Sequence, residues 1–113
     1  MKKELREKVY KKFNGHCAYC GQKIAYKNMQ VDHKKPLCHF YSDPYLYLAN
    51  SFGNLMPSCR LCNHYKRAES LESFRIKMKS LHERIQKIYI AKVAIDYRII
   101  RLIPWNGIFY FEE

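Results

Sequence analysis

The chain has 113 residues and sets 21 Lys and Arg against 10 Asp and Glu, a formal net charge of +11. That length is enough for a single domain, residues 1–113, burying about two thirds of its unfolded surface, and the charge favours a polyanionic partner. No run approaches the roughly eighteen apolar residues that span a bilayer, and the opening MKKELREKVYKKF has no apolar signal core, so no membrane association and a cytoplasmic location are expected.

Residues 2–13 place Leu5, Val9 and Phe13 four apart, one stripe of an amphipathic helix with lysines on its other faces. Asn14 and Gly15 end it. His16 to Gln22 reads as a turn built around cysteines, and Lys23 to Asp32 as a short strand running into VDHKKP. Residues 38–53 are irregular and aromatic, with SDP and FGN marking turns. After Cys62, the residues Leu71, Phe74, Met78, Leu81, Ile85 and Ile88 recur at spacings of three and four, and Ser70 offers an N-cap. Continued unbroken to Leu102, that helix would be about 50 Å long at roughly 1.5 Å per residue, too long for so small a domain. Two helices with a bend between about His82 and Lys87 are therefore expected. Pro104 is expected to end the second, and WNGIFYFEE to form a turn and a short strand.

The basic residues fall in two blocks, Lys2 to Lys35 and Lys66 to Arg101, around a centre from Pro36 to Leu61 whose only basic side chain is Arg60. Individually, many of these lysines read as solvated helix faces. The Asp32–His33 pair is equally ordinary alone, because acids and imidazoles form a site only where the fold assembles one.

Five cysteines in a reducing compartment look to metal or catalysis rather than to disulfides. Cys17-Ala-Tyr-Cys20 and Cys59-Arg-Leu-Cys62 are two CxxC knuckles separated by 38 residues. Four converging thiolates make the closed tetrahedral site that zinc prefers, with no open position for chemistry. Such a staple would fold everything between the knuckles, VDHKKP included, into a loop anchored at its base. Cys38 is left over and reads as a free thiol, the alternative being a ligand together with His39.

Taken together, CAYCG, VDHKKP and NLMPSCRLCNHYK resemble the HNH endonuclease family, in its four-cysteine zinc-stapled subgroup. The resemblance covers residues 17–66, and SLESFR and the aromatic tail are similar to the flanks of small stand-alone members. It implies an α+β fold: a ββα-metal core over about residues 14–68, an N-terminal helix over about 2–13, and a C-terminal helical region over about 70–103 with a short tail.

The resemblance also implies roles. His33 falls on the general base, suited by an imidazole pKa near the working pH. Asp32 falls on a ligand of a catalytic divalent ion, Mg2+ or Mn2+, which favours hard anionic oxygen. On a strand, neighbours point to opposite faces, so one can address water and the other the ion. Asn54 falls on the central residue that braces the hairpin loop and helps orient His33. Asn63 falls on the second metal ligand, histidine in many members, and a one-residue shift would give that place to His64. Lys66 and Arg67 are candidates for phosphate contacts. The Gly-Gly turn common after the DHxxP element is replaced here by CHFYSDPYLYLANSFG. Its Tyr41, Tyr45, Tyr47 and Phe52 either pack over the knuckles as a small core or stack on bases.

The function implied is metal-dependent hydrolysis of DNA phosphodiester bonds, by a monomer or weak dimer that meets DNA mainly through its phosphate backbone. Two alternatives remain. One is a zinc-knuckle DNA-binding module without catalysis. The other is a protein whose helical half docks on another subunit.

Overall fold

The computed structural model describes residues 1–40 and 46–113. The chain divides into two compact units, Met1–Leu71 with Phe109–Glu113, and Glu72–Ile108.

The first unit is α+β. Its opening helix, α1 (Lys3–Lys11), buries Val9 completely. Arg6 and the C-cap residue Lys12 are not solvated ornaments. The Arg6 guanidinium donates to the carbonyls of Tyr26 and Met29, both at 2.9 Å, and the Lys12 ammonium to those of Phe52 and Leu55 at 2.8 and 2.9 Å. These long side chains satisfy carbonyls just before the first strand and at the start of the second, so the helix is clamped as well as packed. Asn14 and Gly15 leave the helix with φ of 54° and 79°. At Gly15 a side chain would be strained by the backbone, and its Cβ would lie 2.9 Å from the Tyr10 hydroxyl.

The expected strand over 23–32 is shorter than the sequence implies, because residues Tyr26–Asn28 close a 3-10 turn first. Strand β1 (Gln30–His33) then pairs antiparallel with β2 (Leu55–Ser58), setting Asp32 opposite Met56 and His33 opposite Leu55. All four residues of β2 are buried, whereas in β1 only Asp32 is. Pro57 gives the ladder no N–H, but its carbonyl accepts from Ala18 at 2.8 Å and ties the hairpin to the first knuckle. Helix α2 (Arg60–Lys66) follows directly, with Cys59 as its N-cap.

The C-terminal tail completes this unit without forming a regular strand. The Tyr110 and Phe111 amides donate to the carbonyls of Tyr19 and Ala18 at 3.1 and 2.8 Å before a final 3-10 turn, Tyr110–Glu112. Phe109 and Phe111 meet the Tyr19 ring edge-on, with centroids 5.5 and 6.1 Å away, so an aromatic core forms on the first knuckle.

The second unit is helical. Helices α3 (Leu71–Lys79), α4 (Leu81–Ile85) and α5 (Tyr89–Asp96) replace the two that the periodicity predicts. One break falls at Ser80, and the other at Ile88, whose backbone is extended. Pro104 does not end the last helix. It closes earlier, where Arg98 turns left-handed at φ 61° and the Ile99 amide reaches back to the Ala94 carbonyl at 2.9 Å, a Schellman closure without glycine. Within this unit Arg75 bonds the Gly107 carbonyl at 2.6 Å and pairs with Glu72 at 3.0 Å.

No helix of the described residues is long and apolar enough to cross a membrane.

Candidate active site and metal centre

The two knuckles converge. The Sγ atoms of Cys17, Cys20, Cys59 and Cys62 all lie within 4.8 Å of one another, and those of Cys20 and Cys59 are 3.8 Å apart. A tetrahedron with zinc–sulfur bonds of about 2.3 Å has edges of about 3.8 Å, so the donor set fits a tetrahedral thiolate-bound ion such as zinc. Amides are aimed at the sulfurs: Gln22 N–H at Cys20 and Cys62 N–H at Cys59, at 3.5 and 3.3 Å. The Cys17 thiol is pulled down to about 4, chiefly by the bond from Cys62. Cys62 is pushed up by the same pairing and then by burial, and Cys20 is raised to about 11, first by burial. Crowded thiols sharing protons are what a cation would convert to thiolates. Gly21 makes the first knuckle's turn at φ 79°, and a Cβ there would strike the Tyr110 ring at 2.6 Å. Among the described residues, neither Cys38 nor His39 joins this cluster.

A second assembly forms on the hairpin. A recess of about 430 Å³ is lined by Asp32 and His33 from β1, Asn63 and Arg67 from α2 and the residue after it, with Pro36, Leu37, Cys38 and Ala68 around them. Antiparallel pairing and the short Ser58–Cys59 connection bring α2 back across the start of the loop. His64 is exposed and does not line the recess, whereas Asn63 does.

Asp32 is only 6% exposed and sits in a network that the sequence does not announce. Its Oδ2 accepts from the Tyr19 hydroxyl at 2.5 Å and pairs with the Lys66 ammonium at 3.0 Å. Burial, and then the Asp32 charge, push the Tyr19 phenol far up, so it stays protonated and donates. Lys66 is 0% exposed and also donates to the His33 carbonyl at 3.0 Å. It therefore does not offer the surface phosphate contact expected of it. An ammonium with no solvent access satisfies its charge on the nearest buried carboxylate instead. Arg67 is exposed at the recess.

Asn54 lines no part of the recess. It is 9% exposed, and its side chain accepts from Lys35 N–H at 2.8 Å and donates to the carbonyls of Lys35 and Ala49 at 3.1 and 2.8 Å. It thus clips together the two ends of the loop. His33 Nε2 lies 2.8 Å from Asn50 Oδ1, a partner that no motif position signals.

Of the four loop aromatics, Tyr47 and Phe52 stay at the surface rather than packing into a small core. Tyr47 is 74% and Phe52 45% exposed, Phe52 lying under the Lys12 ammonium, and Tyr41 and Tyr45 lie outside the described residues.

Residues 17–69 match the family profile described as HNH endonuclease. Comparison with curated proteins and with solved structures gave no match.

Proposed function

Because residues 17–69 carry an HNH endonuclease domain, we propose that this chain is a metal-dependent nuclease that hydrolyses phosphodiester bonds in DNA. The observation that supports this most is the convergence of Asp32, His33 and Asn63 on one recess. One carboxylate and one amide oxygen suit a hard divalent ion that keeps several waters, Mg2+ or Mn2+. When bound, such an ion supplies charge to offset the scissile phosphate and the leaving 3′ oxygen.

The chain's own residues do the rest. His33 takes the proton from the attacking water. Asn54 braces the loop ends that carry it. Arg67, exposed at the recess, holds a neighbouring phosphate. Lys66 and Tyr19 hold the Asp32 carboxylate in one orientation. The zinc staple anchors both arms of the hairpin and takes no part in the reaction. The net charge of +11 draws in the DNA backbone without regard to sequence. The expected products carry a 5′ phosphate and a 3′ hydroxyl.

One observation favours the non-catalytic DNA-binding module: Lys66 already compensates the Asp32 charge. Supercoiled plasmid separates the two readings. Cleavage should require Mg2+ or Mn2+ and stop with EDTA. His33→Ala should lower it by about 10² to 10⁴-fold, with DNA binding and zinc content retained. Cleavage by that variant at the parent rate, once contaminating nuclease is excluded, would leave the DNA-binding module as the function.

A further inference from the structure

We infer that Asn50 is a positioning residue that selects which ring nitrogen of His33 acts as the base, a role that rests on His33 being the general base. Asn50 closes the 3-10 turn Leu46–Asn50, inside the stretch that distinguishes this chain from its family pattern. Its Oδ1 lies 2.8 Å from His33 Nε2. An amide oxygen only accepts, so in this arrangement Nε2 carries the hydrogen and the neutral ring keeps its lone pair on Nδ1. The reversed amide would donate to Nε2, drive the hydrogen to Nδ1 and tie up the ring's one lone pair, on Nε2, leaving no free nitrogen to face a water. A general base therefore needs the orientation seen here.

Two further contacts make the pairing a built feature. Asn54 holds the carbonyl of Ala49, next to Asn50, and both backbone groups of Lys35, two residues beyond His33. Asn54 thereby fixes the separation of acceptor and ring from one scaffold. His33 also lines the recess and Asn50 does not. The tie occupies Nε2, so Nδ1 is the ring nitrogen left for the attacking water. Asn54 thus orients His33 by way of Asn50.

Asn50 is exposed, and water competes for its hydrogen bond. The expected loss is accordingly at the low end of the roughly 10 to 10²-fold range for groups that orient a functional residue. The test uses the full zinc-loaded chain with Asn50→Ala and Asn50→Asp, plasmid cleavage kinetics, and long-range 1H–15N spectra of the His33 ring. Asn50→Ala should lower kcat about tenfold with little change in KM, and move His33 away from the Nε2–H form. Asn50→Asp, which keeps an acceptor, should retain that form and most of the kcat. A His33 spectrum unchanged by Asn50→Ala, or equal kcat losses in the two variants, would overturn the role of Asn50 alone. Parent-level cleavage by His33→Ala would instead overturn the base assignment, and this role with it, even where the spectra show the Asn50–His33 bond intact.

Discussion

The two units of this chain are held by different means. In the first, the interior is chemically committed. Four thiols meet at one point, a carboxylate is shared by a phenol and an ammonium, and an asparagine clips two loop ends. In the second, no residue of α4 or α5 is buried, and large apolar side chains such as Tyr89 and Ile90 are 82% and 76% exposed. The contrast shows where substitution should hurt. A buried polar group with one designated partner leaves a desolvated charge or donor when that partner goes, whereas an exposed apolar residue leaves only a slightly different surface.

The sharpest break in that contrast is Cys59→Ala. Removing one of four thiolates forfeits metal-coupled folding energy on the order of 10 kcal/mol, comparable to the whole stability of a small domain. The variant should contain no stoichiometric zinc by elemental analysis and show no cooperative melt of the first unit. A folded, zinc-free variant would mean that the aromatic core on the first knuckle suffices alone.

Next is Lys66→Met. Truncating one member of a buried ion pair strands the other, and about 3–5 kcal/mol of stability should be lost in denaturant titrations of the zinc-loaded protein. Plasmid cleavage should also fall, because Asp32 loses the group that holds its Oδ2. A change under 1 kcal/mol, on the order of an exposed pair, would show that water reaches the ammonium.

Tyr19→Phe removes only the hydroxyl and keeps the ring that packs on Phe109 and Phe111. The hydrogen bond to a charged acceptor is worth about 1.5–3 kcal/mol, and equilibrium unfolding should show a loss in that range. At the bottom of the scale, Ile90→Ser on α5 should shift stability by no more than about 0.5 kcal/mol. A loss well above that would mean that α5 is covered in solution, which a concentration series in analytical ultracentrifugation would resolve as self-association.

Much of the fold was legible in local pattern. The four-residue stripe of α1, its stop before Asn14–Gly15 and the paired knuckles follow from spacing, because helical periodicity and metal-ligand geometry act over a few residues at a time, while the α+β class came from the family resemblance. The C-terminal helices were legible as helical and not as three pieces. Apolar spacing runs through Ser80 and Ile88 without interruption, and Arg98 adopts a left-handed φ that its identity does not announce. For the candidate site, the resemblance named the DH pair and the residue after Cys62, which line one recess, but their surroundings were not legible.

The sequence by itself determined which donors the chain possesses and the spacing at which they come. Tertiary structure alone decided what each one touches. Tyr19 reaches Asp32 across 13 positions, Asn50 reaches His33 across 17, and Lys66 reaches the His33 carbonyl across 33. Contacts at such separations leave no periodic trace in the chain. They exist because hairpin pairing and the returning helix bring distant segments together, and because a buried charge, once there, must find a partner of opposite sign. The same rule turned Lys66, which reads as a surface lysine poised for phosphate, into the buried counter-charge of Asp32.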